Sequence, residues 1–390
     1  QRSRWRRWVD RLLGRTPPTP EPRPATPTAR RTPSQSFAPQ PARAPTPIVG
    51  VDFGTSYSSI AVVRGGELFF ARFEDDEPMM PSMVSFPAPE QTLLGDAARA
   101  RMGGEAQWTV LSPKRLLARE ASDKEVARLT GQLAFHTFAG SDRYLRLEAH
   151  GVIHSMHDVC ALILRHLREV AEAQFDCSIH EAVLAAPVGF GSLQRAALER
   201  VAREAGLRSV GILSEPTAAV LAQSFAEDFA GLVAVFDFGG GTFDFALLDV
   251  VSQEYQVRCA GGDPWLGGDD FDQALARHLA DAFWRETRVD LRTRAVEWQA
   301  LLMGCERAKR ELSRRSSTRL QLDDLLRTDG GVAGLKVRIT RAVFEQLTKE
   351  LVKRAIAATQ RVRTHAGVAP PAGDAGVLAG GSALMPAGQR

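Results

Sequence analysis

Apolar positions along the chain repeat one figure in two places. Ile48-Val49-Gly50-Val51 has the character of a buried strand, Asp52-Phe53-Gly54-Thr55-Ser56-Tyr57 reads as a turn, and Ile60-Ala61-Val62-Val63 resumes strand character. The pattern predicts a hairpin with a small, hydroxyl-rich tip. The figure returns where Val233-Ala234-Val235-Phe236 leads into Asp237-Phe238-Gly239-Gly240-Gly241-Thr242, and Phe243-Asp244-Phe245-Ala246-Leu247-Leu248 leads out. The copies lie a domain's length apart, which points to two related lobes rather than a solenoid of short repeats.

Helical spacing of Leu, Val and Ala predicts helices over 157–175, 192–205 with Ser192 as its cap, 270–284, about 296–313, and 341 to about 364. Strands are predicted at 183–186, 319–322 and 335–339, and a strand, glycine turn and short helix start at 376–386. Strands mixed with helices throughout argue α/β lobes.

Composition changes the picture at one end. Residues 16–47 hold eleven of the 22 prolines, mixed with Thr, Ala and Arg, and predict a disordered, partly extended linker. Ahead of it, Trp5, Trp8, Val9, Leu12 and Leu13 share one helical face and Arg fills most of the other. Within residues 1–15 that pattern suits an anchor on an anionic membrane surface or a docking helix for a partner protein. Ten Arg in residues 1–47 face only Asp10 and Glu21, so the formal charge of +3 belongs to the tail and the remaining body is mildly acidic. Basic charge confined to a Pro-rich tail, with no groove-reading motif, argues against nucleic acid. No apolar run reaches the roughly 18 residues of a membrane-spanning helix. Four dispersed Cys, with no C-x-x-C pair, exclude a disulfide scaffold or zinc ribbon and suit buried thiols in a reducing cytoplasm.

The two hairpins carry the candidate chemistry. A glycine-rich turn lets backbone N–H groups converge on an anion, and Thr55, Ser56 and Thr242 add hydroxyl donors. Asp52 and Asp237, one at each strand end, suit a hydrated Mg²⁺ or an oriented water. Two such tips would clamp a polyphosphate; two ordinary glycine turns are the bland alternative. Gly-Lys, H-E-x-x-H and G-x-S-x-G are all absent, which removes the P-loop, zincin and serine-hydrolase readings. His150, His154 and His157 read as a solvated surface loop.

Val49 to Ser58 resembles the first phosphate motif of the heat-shock protein 70 family, the DnaK-type chaperones. Ser214-Glu215-Pro216-Thr217-Ala218-Ala219 resembles its connecting motif, Phe236 to Asp244 its second phosphate motif, and Gly380-Gly381-Ser382 its adenosine motif. Leu266-Gly267-Gly268-Asp269-Asp270-Phe271-Asp272 and the segment from Cys305 to Ser313 are similar to further family segments, all in the family's order. The resemblance implies the two-lobed α/β actin-like ATPase fold with ribonuclease-H-like lobes. The first lobe would span 48–230 and the second 231–390, the latter shortened at its C-terminal end.

It also implies ATP or ADP, Mg²⁺ and K⁺ as cofactors, and co-chaperones or a nucleotide-exchange factor as partners. By the same resemblance, Asp52 and Asp237 hold the Mg²⁺ water shell with Asp244 as a further acidic member. Gly54, Thr55, Ser56 and Tyr57 grip the β/γ-phosphates from one side, and Gly239, Gly240, Gly241 and Thr242 from the other. Lys114 and Glu215 are the catalytic lysine and glutamate. Glu306, Lys309, Arg310 and Ser313, on one helix face, hold ribose and adenine with Gly380, Gly381 and Ser382. Pro187, Gln194 and Arg195 keep the spacing of an element that relays nucleotide state.

Departures from the family pattern are equally specific. Leu384 stands where the family usually has an arginine that stacks on adenine. The sequence ends at Arg390 without the family's peptide-binding domain, and residues 1–47 have no family counterpart. The expected activity is slow Mg²⁺-dependent ATP hydrolysis. A non-catalytic nucleotide-sensing scaffold and a small-metabolite kinase of the same superfamily are the competing readings.

Overall fold

Two antiparallel meanders, one from each half of the sequence, organise the chain. The computed structural model describes residues 46–386 except 132, 225–229, 253, 329–330 and 369–373. The tail expected at 1–47, with its amphipathic stretch, lies outside the described residues up to position 45.

The first meander runs β1 (Ile48–Phe53), β2 (Tyr57–Arg64) and β3 (Glu67–Phe70). Helix α1 (Met156–Phe175) then returns the chain to β4 (Glu181–Ala186), and α2 (Ser192–Glu204) leads to β5 (Arg208–Ser214). The sheet order is β5-β4-β1-β2-β3, with β4 and β5 added parallel to β1. Val49, Val51 and Phe53 of β1 alternate inward, in phase with Ser58, Ile60 and Val62 of β2, and meet α1 and α2 in one core. Leu68, Phe69 and Phe70 of the edge strand β3 remain open to solvent.

Helix α3 (Glu215–Gln223) follows β5 without a loop and crosses to the second unit, where Val220 packs with Val233, Val235 and Leu248. The second meander is β6 (Gly231–Phe238), β7 (Phe243–Val251) and β8 (Glu254–Asp263). Helix α4 (Gly268–Thr287), α5 (Ala295–Arg314), the hairpin β9 (Ser317–Thr328) and β10 (Gly331–Thr340), and α6 (Arg341–His365) precede β11 (Ala375–Ala379). β11 lies parallel to β6 in the order β8-β7-β6-β11. Both units therefore carry a meander plus a parallel strand on the far side of its first strand. The repeat seen at the hairpin level extends to sheet topology.

Two expectations need correction and one needs extension. Helix α2 is capped at Gly191, one residue before Ser192, whose own backbone is already helical; the Gln194 side chain accepts the Gly191 N–H at 3.3 Å. The 319–322 and 335–339 strands are parts of one longer hairpin. His150, His154 and His157 are not a solvated loop: His154 stacks on Phe86 at 4.1 Å, His150 lies 4.3 Å from Trp108, and His157 is on α1. Their rings fill partly apolar surroundings, and burial depresses the pKa of His154 and His157.

All four cysteines are free; Cys160 and Cys305 sit inside the two cores, while Cys177 and Cys259 are half-buried. Among the described residues no helix is long and apolar enough to cross a membrane.

Candidate functional site

The hairpin tips meet. A side chain on Gly241 would press within 2.6 Å of Thr55 Cγ2 and 2.8 Å of Arg115 Cδ, and one on Gly240 would collide with the Ser56 hydroxyl. Glycine is required there because the second tip lies directly against the first. Gly239 N–H bonds the Thr242 carbonyl at 3.0 Å and closes the second tip, as the β6–β7 register demands.

Behind the tips lies a dense cluster of charge. Asp52 stands one residue before the end of β1 and Asp237 one before the end of β6, directly across from Asp244 on β7. Glu215 opens α3, where the Ser214 hydroxyl caps the helix by accepting Thr217 N–H at 3.3 Å and Pro216 occupies the first turn. Lys114 stands in a tight 3₁₀ turn, Pro113–Leu116, that follows Ser112 in the left-handed region at φ 51°. Its side chain is 3 % exposed, and Nζ donates to Glu215 Oε1 at 2.7 Å. The ammonium also lies 5.6 Å from the Phe190 ring centre and 5.9 Å from that of Phe53.

Three carboxylates near this buried cation, Asp52, Asp237 and Asp244, hold their protons above the ordinary carboxylate range. Burial, then repulsion from Glu215, pushes Asp52 up to about 6, with Lys114 opposing. Burial, Glu215, Asp244 and Asp52 together push Asp237 up to about 8. Burial and Glu215 push Asp244 up to about 7, against hydrogen bonds from Thr242 and Gly189. Burial alone would lower Lys114, but Glu215 and Asp52 hold it above its ordinary value.

Such an excess of buried negative charge suits a cation. Asp244 Oδ2 is buried without a hydrogen-bond partner, as an atom awaiting a metal-bound water would be. Among the described residues no three acidic, His or Cys side chains converge tightly enough to chelate a metal directly. Buried carboxylates of this kind can hold a hydrated cation.

A second charged group lies on α5 and α4. Lys309 Nζ donates to Asp272 at 2.6 Å and to the Gly268 carbonyl at 2.9 Å. Burial nevertheless lifts Asp272 to about 7. Arg310 reaches back to the first unit and donates to the Tyr57 hydroxyl at 2.9 Å, as Arg99 does at 3.0 Å. Tyr57, expected at the phosphates, thus gives its hydroxyl to the α5 side. Glu306 lies 3.5 Å from Arg310, while the Ser313 hydroxyl is turned onto its own helix at the Lys309 carbonyl. After β11, Gly380 takes φ 80°, Gly381 opens a short turn, and the Ser382 hydroxyl donates to the Gly239 carbonyl at 2.9 Å. The 380–382 turn is thereby bonded to the second tip. Leu384, two residues on, is 63 % exposed.

Residues the sequence reading did not single out complete the junction. Arg115 is buried beside Lys114; its guanidinium reaches Asp269 at 3.3 Å and Asp270 at 4.0 Å. Trp265 packs against the first core, and the guanidiniums of Arg115 and Arg119 lie 5.5 and 5.2 Å from its ring centre. The signal was available in the Lys-Arg pair at 114–115 and the acidic pair at 269–270. Only the fold shows that these stretches, more than a hundred residues apart, touch.

The model of the family described as Hsp70 protein matches residues 48–390.

Proposed function

Because the chain belongs to the Hsp70 protein family, whose general activity is ATP binding of the chaperone type, we propose that residues 48–390 form an ATPase unit that closes two lobes, 48–230 and 231–390, on Mg·ATP and hydrolyses it slowly. The observation that carries the reading is the buried Lys114–Glu215 pair, set among Asp52, Asp237 and Asp244 directly behind two facing glycine-rich tips.

Phosphoryl transfer needs positioning and charge stabilisation more than covalent help. The tip backbones, with the Thr55, Ser56 and Thr242 hydroxyls, hold the β- and γ-phosphates from both sides. Lys114 faces the γ-phosphate and stabilises the charge that grows there. Glu215, already bonded to Lys114, orients the attacking water with Asp237. Water adds to Pγ, the bond from Pγ to the bridging oxygen breaks, ADP leaves with that electron pair, and the surplus proton passes to the carboxylate cluster. Magnesium, held through water by Asp52, Asp237 and Asp244, would neutralise the phosphate oxygens. Glu306, Lys309 and Arg310 with the 380–382 turn face the nucleoside.

Phosphate release measured with saturating Mg·ATP tests the proposal. Turnover in the wild type, lost in Lys114→Ala and Glu215→Ala, is expected; equal rates in all three proteins overturn it. Exposed Leu384, in place of a stacking arginine, favours one second reading, a nucleotide sensor. Saturable ATP binding with no phosphate release selects that reading.

A further inference from the structure

Strand β3 sets apolar side chains against water beside a run of acids. Leu68 lies across from Val63 and Phe70 across from Ala61, so these four share one face of the sheet. Phe69, across from buried Val62, takes the other face. Val63, Leu68, Phe69 and Phe70 are all exposed, Leu68 to 58 %. Glu67 opens the strand, and a short 3₁₀ turn of Glu74, Asp75 and Asp76, followed by Glu77, comes just after it. All five acidic residues are exposed, and none of them forms an ion pair among the described residues. The arginines nearby are committed elsewhere. Arg72 donates to the Asp76 carbonyl at 3.2 Å, and Arg64 to the Phe175 carbonyl at 2.7 Å.

A patch both apolar and acidic matches a segment both apolar and basic, and the chain carries such a segment itself. In residues 1–15, Trp5, Trp8, Val9, Leu12 and Leu13 share one helical face, and six Arg stand against the single Asp10. The connection is short in space. The described chain begins at residue 46 and enters the sheet as β1, and Val49, Val62 and Phe69 form one row across β1, β2 and β3. Two strand spacings put β3 about 10 Å from β1. Thirty residues, 16–45, join the basic segment to that point. A chain of that length spans roughly 30 Å even when flexible, and a Pro-rich one spans more. Such a tether makes the encounter intramolecular and favours it over contact between separate molecules.

We propose that residues 4–13 dock on the β3 patch of their own chain, with their apolar face on Leu68 and Phe70 and their arginines on Glu67 and the 74–77 turn. Side chains make the contact, and the backbone groups of the strand stay with water. The docking does not depend on the nucleotide chemistry proposed above. It stores the basic segment on the body, so an anionic surface must compete with five carboxylates for it.

Acrylamide quenching of Trp5 and Trp8 tests the proposal. Their signal is read in the full chain, at low concentration, as the difference between wild type and Trp5→Phe with Trp8→Phe. Shielded tryptophans are expected in the wild type, and Leu68→Glu with Phe70→Glu should raise their quenching constant several-fold. Glu74→Lys with Asp75→Lys should expose them as well. Adding Arg6→Glu with Arg7→Glu to that variant should restore the shielding, a repair that a merely disturbed turn would not show. Salt near 1 M confines the attraction to about 3 Å and should weaken the shielding. Equal quenching in wild type and the Leu68, Phe70 variant overturns the proposal. Shielding that fades on dilution, with a dimer in sedimentation, overturns it in favour of a second copy. Shielding that appears only with phosphatidylserine vesicles overturns it in favour of a membrane anchor.

Discussion

The two hairpins share a topology and differ in what they bring to their meeting point. The first tip carries hydroxyls at Thr55 and Ser56 and stands on the side that supplies the buried cation, Lys114. The second tip is three consecutive glycines, closed by Thr242 and braced by Ser382. One side provides side-chain donors and charge; the other provides backbone and room. The acidic groups are spread over both sides, Asp52 and Glu215 on one and Asp237 and Asp244 on the other, so the cluster forms only when the units are together. A duplicated frame can thus be specialised by exchanging a few tip residues while its strands stay the same.

Removing the cation should break this division of labour most severely. Lys114→Ala leaves Glu215 buried without its partner, a change that costs about 3–5 kcal/mol in comparable buried pairs. A lower Tm and loss of phosphate release are expected together; Lys114→Ala with Glu215→Gln should recover much of the Tm and none of the turnover. Filling the room on the other side comes next. Gly241→Val drives a side chain into Thr55 and Arg115, an overpacking of about 1–3 kcal/mol. It should weaken ATP binding measured by calorimetry while the far-ultraviolet circular dichroism is kept.

Acidity separates the two sides more gently. Asp237 and Asp244, raised by burial to about 8 and about 7, keep protons in the folded chain that the unfolded chain releases near the ordinary carboxylate value of 3.8. Stability without ligands should therefore fall as pH rises from about 4 towards 8. In thermal melts across that range, Asp237→Asn should flatten the decline; an unchanged slope would show that Asp237 is not the group responsible. The smallest effect concerns the base. Leu384→Arg should tighten ATP binding by about 1 kcal/mol if a stacked guanidinium is what the exposed leucine lacks. Calorimetry with ATP and with tripolyphosphate separates this gain from any general attraction for anions.

Much of this frame was legible in the sequence. The alternation at 48–63 and 233–250 marked both hairpins because inward Val, Ile and Phe positions follow the strand period. The long helices announced themselves in the same way. The stretch from about 80 to 155 did not, because its strands are short and give the alternation too few positions to show itself. The helix start at 192 was legible, but its cap at Gly191 was missed because Ser192 has the chemistry of a cap and sits one residue too late. Arg119 and Trp265 had local signals too ordinary to notice. Their meaning lies in a contact between chain segments that no periodicity encodes.

Strand β3 leaves one consequence for handling the protein. Its outer backbone edge has no strand partner among the described residues, and Leu68, Phe69 and Phe70 present oily surface beside it. An open edge of that kind is a template on which a second molecule can add a strand. Concentrated samples should begin to self-associate there, and a lysine in place of Phe69 should keep them dispersed.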